Sequence, residues 1–105
     1  MGCFKADKDK VFLIRNHEIG RFEQYKFKNE YGKSAFGKID NIYDFYPKDK
    51  VFDPCFDDTV CFGGTTTIVY NTKTDFIENE YLSLAGTLIN CSGGITPWNT
   101  WITCE

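Results

Sequence analysis

No stretch of the 105-residue sequence reaches the roughly 20 consecutive apolar residues that a membrane-spanning helix needs. The longest apolar run, Val11 to Ile14, is only a strand's length. Met1 to Lys10 lacks the basic start, apolar centre and small-residue cleavage site of a secretory signal. Any export signal is therefore expected outside this sequence. Gly2 follows Met1, but Ala6 stands where a myristoylation site wants Ser or Thr, which excludes that reading. The single histidine, His17, excludes a multi-histidine metal site built by this chain alone. No GxSxG, HExxH, GxGxxG or GxxxxGK[ST] occurs, so serine hydrolase, zincin, Rossmann and P-loop chemistry have no support. A basic excess is missing too. Lys plus Arg number 12 against 15 for Asp plus Glu, a net charge of -3, which weighs against nucleic acid as a partner. Helical periodicity, internal repeats and low-complexity tracts are likewise absent.

What is present is the composition of one globular domain: 42% hydrophobic, 26% charged and 17% aromatic residues. A chain of this length buries roughly 60 to 70% of its unfolded surface, enough for one core with little margin. Four segments read as strands. Lys10 to Arg15 is an apolar run bounded by charge, the pattern of a strand buried on both faces. Thr65 to Tyr70 is dense in β-branched residues, between Gly63-Gly64 and a turn at Asn71-Thr72-Lys73. Tyr81 to Asn90 follows, with Gly86 marking a bulge or a close backbone approach. Trp98 to Thr103 alternates, with Trp98, Thr100 and Ile102 on one side. Strands separated by turns without helical crossovers predict an all-β fold of antiparallel strands.

The connection 20–62 is long and matches neither period, so it reads as an insertion or as cover for short strands such as Arg21 to Lys28. Its aromatics, among them Phe22, Tyr25, Phe27, Tyr31 and Phe36, argue against a disordered linker. Three or four strands with exposed edges would be marginal alone. The chain is accordingly expected to be an incomplete piece of a larger β protein.

The cysteines are Cys3, Cys55, Cys61, Cys91 and Cys104, an odd number that cannot pair completely within one chain. Cys55 and Cys61 enclose a loop that a disulfide could close in an oxidising compartment, or both remain thiols. Cys91 is followed at once by Ser92-Gly93-Gly94, and a thiol at a strand end beside a double glycine is either a ligand position or a buried structural cysteine at a tight turn. Asn90-Cys91-Ser92 also matches a glycosylation sequon. Arg15-Asn16-His17-Glu18 places four polar groups just past a strand, able to bind an anion, accept a proton or ligate a metal; a structural histidine is the simpler alternative. Asp53, Asp57 and Asp58 form an acidic group that suits either a hard cation or plain solvation.

Three motifs then carry a family resemblance. Asn90-Cys91-Ser92-Gly93-Gly94-Ile95-Thr96-Pro97-Trp98-Asn99-Thr100-Trp101-Ile102-Thr103-Cys104-Glu105 closely resembles the NCxGGxTPWxTWxTCEE signature of the PhoX-type alkaline phosphatases. Leu13-Ile14-Arg15-Asn16-His17-Glu18 resembles that family's (L/V)xRNHE strand end, and Gly63-Gly64-Thr65-Thr66-Thr67-Ile68-Val69-Tyr70 its GGTTT strand, in the same order. The resemblance spans residues 11 to 105, except that nothing between Gly20 and Phe62 matches a motif.

The resemblance implies a large β-propeller, of which residues 1–105 would be one to two blades truncated at both ends, and a cluster of iron and calcium at the mouth of the central channel. It assigns Cys91 to iron, makes Glu105 and Glu18 metal-binding candidates, and matches Asn16 to a substrate-binding position that contacts phosphate. The signature's second Glu would fall at position 106, beyond Glu105. The expected activity is phosphate monoester hydrolysis by a monomeric, periplasmic or secreted parent protein, with the isolated fragment inactive. A non-catalytic β-propeller binding module is the alternative from another class, because fold does not fix function. An independent small β domain with structural cysteines is the third reading.

Overall fold

A computed structural model of the chain describes residues 1–20, 48–54, 61 and 63–105. Six strands form among them: β1 (Gly2–Asp7), β2 (Lys10–His17), β3 (Gly63–Asn71), β4 (Phe76–Thr87), β5 (Ser92–Ile95) and β6 (Trp101–Cys104). The only helical segment among the described residues is a single 3-10 turn, Lys48–Lys50. The protein is all-β with antiparallel pairing throughout. Strands β1 to β4 form one four-stranded meander in sequence order, and β5 with β6 forms a separate two-stranded ribbon.

The strongest β-formers occupy the middle of the meander. The pairing of β2 with β3 runs from Lys10↔Asn71 to His17↔Gly64 without a slip, and Thr65, Thr66, Thr67 and Ile68 are all buried. Stiff β-branched side chains fit such a pleated, covered surface. Strand β2 has hydrogen-bonded neighbours on both edges, yet its faces are only partly covered, and Phe12 remains 36% exposed. The expected burial on both faces is thus corrected: the apolar run reflects a central position in an antiparallel sheet, which can leave one face open to water.

Strand β4 has 12 residues against nine in β3. Three register shifts absorb the difference, leaving Gly86, Ser83 and Glu78 as the extra residues. At Ser83 the bulge turns the hydroxyl onto β3, where it donates to Thr65 O at 3.1 Å and accepts from Thr67 Oγ1 at 2.8 Å. At Gly86 the backbone has φ 84, and a Cβ would crowd Val51 Cβ and Phe52 N. The close approach expected of Gly86 is therefore observed, and only glycine meets both demands cheaply. Across it, Phe52 N donates to Ala85 O at 2.8 Å and Asp53 N to Gly86 O at 3.1 Å, docking segment 51–53 on the end of β4.

Beyond extensions of one or two residues in β2, β3 and β6, three element boundaries differ from expectation. Strand β4 begins at Phe76, earlier than Tyr81, because Asp75 at φ 57 closes the turn while Asn71 Oδ1 caps Lys73 N and Thr74 N. It ends at Thr87, short of Asn90, where Ile89 adopts φ 54. Trp98 to Thr100 is a turn outside β6: Pro97 precedes it, Asn99 takes φ 68, and Thr96 N donates to Thr100 O at 2.8 Å. The suggested strand Arg21 to Lys28, Cys55 of the suggested disulfide, and Asp57 with Asp58 lie outside the described residues.

Candidate functional site

The three motifs meet at one corner. The end of β2 delivers Asn16, His17 and Glu18, the start of β3 delivers Gly63 and Gly64, and the end of β4 leads through Leu88 and Ile89 to Asn90 and Cys91. The ribbon carries Cys91 just before β5 and Glu105 just after β6. Its last paired positions there are Ser92↔Cys104, so Cys91 and Glu105 stand one register step beyond on opposing chain segments.

Specific side chains hold the ribbon against the meander. Asn16 Nδ2 donates to Ser92 O at 2.7 Å, and Trp101 Nε1 donates to Asn16 Oδ1 at 2.9 Å. The Trp101 indole meets the Phe4 ring edge-on, with centroids 6.5 Å apart, and fills the space beside Gly2 and Gly93, where a Cβ would collide with it. Ile89 N donates to Ile19 O at 3.3 Å, placing the residue after Glu18 beside the approach to Cys91. Glu105 Oε1 accepts from Leu88 N at 2.9 Å, so this carboxylate already braces the β4-to-β5 connection. Asn90 is fully buried: its Oδ1 accepts from Thr87 Oγ1 and its Nδ2 donates to Thr103 Oγ1 at 2.9 Å.

His17 lies beside this corner and shares a hydrogen bond between Nε2 and Thr66 Oγ1. Burial, reinforced by the positive charge of Arg15, holds its imidazole below the ordinary value of 6.5, while Glu80 pulls weakly the other way. Arg15 itself pairs with Glu80 at 3.3 Å in exposed surroundings. The geometry therefore favours a neutral His17.

Of the residues singled out in the sequence, Asn16 joins the ribbon directly, while Glu18, Cys91 and Glu105 are exposed around the same corner. Among the described residues no three His, Cys, Asp or Glu side chains are grouped closely enough to hold a metal ion. Asp53 is exposed, and its backbone N–H bonds the bulge at Gly86. Sequence reasoning gave Trp101 no role of its own and read Asn90 only as the acceptor of a glycosylation sequon, which its complete burial does not suit. The signal for both was their place inside the long C-terminal motif, since a buried Asn needs partners for both ends of its amide.

A family model described as alkaline phosphatase PhoX matches residues 1–105, the whole chain. No curated protein matches, and no solved structure matches.

Proposed function

Because the chain belongs to the PhoX alkaline phosphatase family, we propose that it forms part of a metal-dependent phosphatase that hydrolyses phosphate monoesters, with the corner described above supplying ligands to a cluster of iron and calcium. The observation that carries this reading is the convergence of the RNHE, GGTTT and NCSGG…TCE segments through Asn16–Ser92, His17↔Gly64 and Leu88–Glu105. Strand pairing alone brings β2 beside β3, but the convergence also gathers an exposed thiol and two exposed carboxylates, Cys91, Glu18 and Glu105, around one corner, and that supports a shared role.

The donor types fit such a cluster. The Cys91 thiolate suits iron, and the carboxylates of Glu105 and Glu18 suit iron or calcium. Their number does not complete a coordination shell, so the remaining ligands come from other parts of the parent protein. Bound cations would offset the charge that develops on the phosphoryl oxygens and activate an oxygen nucleophile. Asn16 spends Oδ1 and one Nδ2–H on the ribbon, which leaves its second Nδ2–H as the group that meets phosphate. The four-stranded antiparallel meander supports the reading of a β-propeller blade, the radial architecture that protects sheet edges by repetition. The parent protein is a periplasmic or secreted monomer.

The test is hydrolysis of p-nitrophenyl phosphate by the parent protein carrying this sequence, supplied with iron and calcium. Cys91→Ser and Glu105→Gln should each lower turnover by more than the roughly tenfold to hundredfold that losing an outer partner of a metal ligand costs. The 105-residue chain alone should show no turnover. Metal-dependent turnover by the isolated chain, or a parent protein indifferent to Cys91→Ser, overturns the reading.

A further inference from the structure

The backbone on either side of Cys91 is held by two asparagine side chains. Before it, Asn90 is 0% exposed and spends both ends of its amide, on Thr87 Oγ1 and on Thr103 Oγ1, thereby tying β4 to β6. After it, the Ser92 carbonyl accepts from Asn16 Nδ2 at 2.7 Å, and the Asn16 amide is itself oriented by Trp101 Nε1 at 2.9 Å. Gly63 admits the first of these, since a Cβ there would collide with Thr87 O and Asn90 Oδ1. The chain enters this grip through Ile89 at φ 54, a left-handed conformation that is costly for a β-branched residue and persists only where its surroundings over-determine it. The Cys91 side chain is nevertheless exposed. A fixed backbone under an exposed thiol is the arrangement a preorganised ligand needs, whereas a structural cysteine would be covered instead.

We propose that Asn16 and Asn90 are positioning residues that clamp the backbone around Cys91 and so preset its thiolate for metal. The proposal rests on the reading of Cys91 as a metal ligand, and it adds that the ligand is aimed before any metal arrives. Hydrogen bonds that orient a first ligand typically account for tenfold to a hundredfold in metal affinity. Asn16 thus serves in the assembly of the site as well as at the substrate.

The parent protein carrying this sequence is prepared unaltered and as Asn16→Leu, which removes both amide bonds at similar volume, with Trp101→Phe as a companion that keeps an aromatic ring and spares the bond to Ser92. Amide hydrogen exchange is followed on the metal-free protein, and ferric iron is titrated by its thiolate charge-transfer absorption. Asn16→Leu should speed exchange at Cys91 to Gly93 while leaving β2–β3 protected, shift the absorption band, and weaken iron about tenfold to a hundredfold. Trp101→Phe should weaken it less. A purely structural role would lower thermal stability but leave the band and the affinity of the folded protein unchanged, and that result overturns the clamp. Should Asn16→Leu fail to fold by far-ultraviolet circular dichroism, Asn90→Ser takes its place with the same expected and overturning results. Iron affinity that is indifferent to Cys91→Ser overturns the ligand reading beneath the proposal, which sets that failure apart from failure of the clamp.

Discussion

The meander and the ribbon are held by different forces. In the meander, β2 and β3 pair over eight consecutive positions, and β3 buries Thr65 to Ile68 on the way, so the backbone ladder and β-branched packing suffice. The ribbon has two strands of four residues, and Ser92, Gly93, Gly94 and Ile95 are all exposed. An isolated two-stranded ribbon is marginal in water. Its place is fixed instead by the Trp101 indole, the Asn16 and Asn90 amides and the Glu105 carboxylate. Two of the three candidate ligands, Cys91 and Glu105, belong to the weakly cohesive element, positioned by the strong one, while Glu18 follows β2 of the meander. That division lets a site keep exposed, reactive groups without relying on them for the core.

The largest expected effect comes from removing the chief anchor. Trp101→Ala should cost about 2 to 4 kcal/mol, near the lower range for deleting a large aromatic because the ring is only half-buried. Hydrogen exchange should then rise in β5 and β6 before it rises in β2 and β3; uniform loss of protection would erase the distinction between the two regions. Next comes Gly86→Ala, expected to cost about 1 to 3 kcal/mol from the strained φ together with the clash at Val51. Denaturant unfolding measures it, and segment 51–53 should loosen with the end of β4 while the ribbon stays docked.

The pH dependence sharpens the comparison from the meander's side. His17 takes a proton near 6.5 when unfolded and resists it when folded, so stability should fall as pH drops through about 6.5 and level off below the folded value. His17→Asn should flatten that slope, read as the denaturation midpoint at a series of pH values. Glu78 is held below its ordinary 4.5 by Asn71 and then Lys10, so a second decline should follow as pH falls through 4.5. The smallest change belongs to Lys10→Met. It breaks the 2.6 Å pair with Glu78 in an exposed position, and its effect should shrink further at high salt.

Strands β2 and β3 were legible because their residues favour strands without help from elsewhere, as Val11-Phe12-Leu13-Ile14 and Thr65-Thr66-Thr67-Ile68-Val69 do. Strand β1 was not, because Gly2-Cys3-Phe4-Lys5-Ala6-Asp7 mixes weak formers with charge, and pairing with β2 supplies what local preference lacks. Strand β5 was hidden for the same reason: Ser92-Gly93-Gly94-Ile95 has almost no β-preference, and glycine is used there to admit Trp101. The stretch Trp98 to Thr100 misled in the other direction, its aromatic and threonine alternation overridden by Pro97 and the left-handed Asn99. Of the candidate site, the residue types were readable from the motifs. Their convergence was not, since it depends on Asn16 reaching a carbonyl 76 positions along the chain.

The most direct test of the central claim, that this corner presents Cys91 as a metal ligand, is a ferric iron titration of the parent protein carrying this sequence, followed by absorption, beside its Cys91→Ser variant. The account predicts a thiolate-to-iron band that saturates in the unaltered protein and is missing from the variant, with both proteins showing the same far-ultraviolet circular dichroism. The same band in Cys91→Ser, or none in either protein, would contradict it.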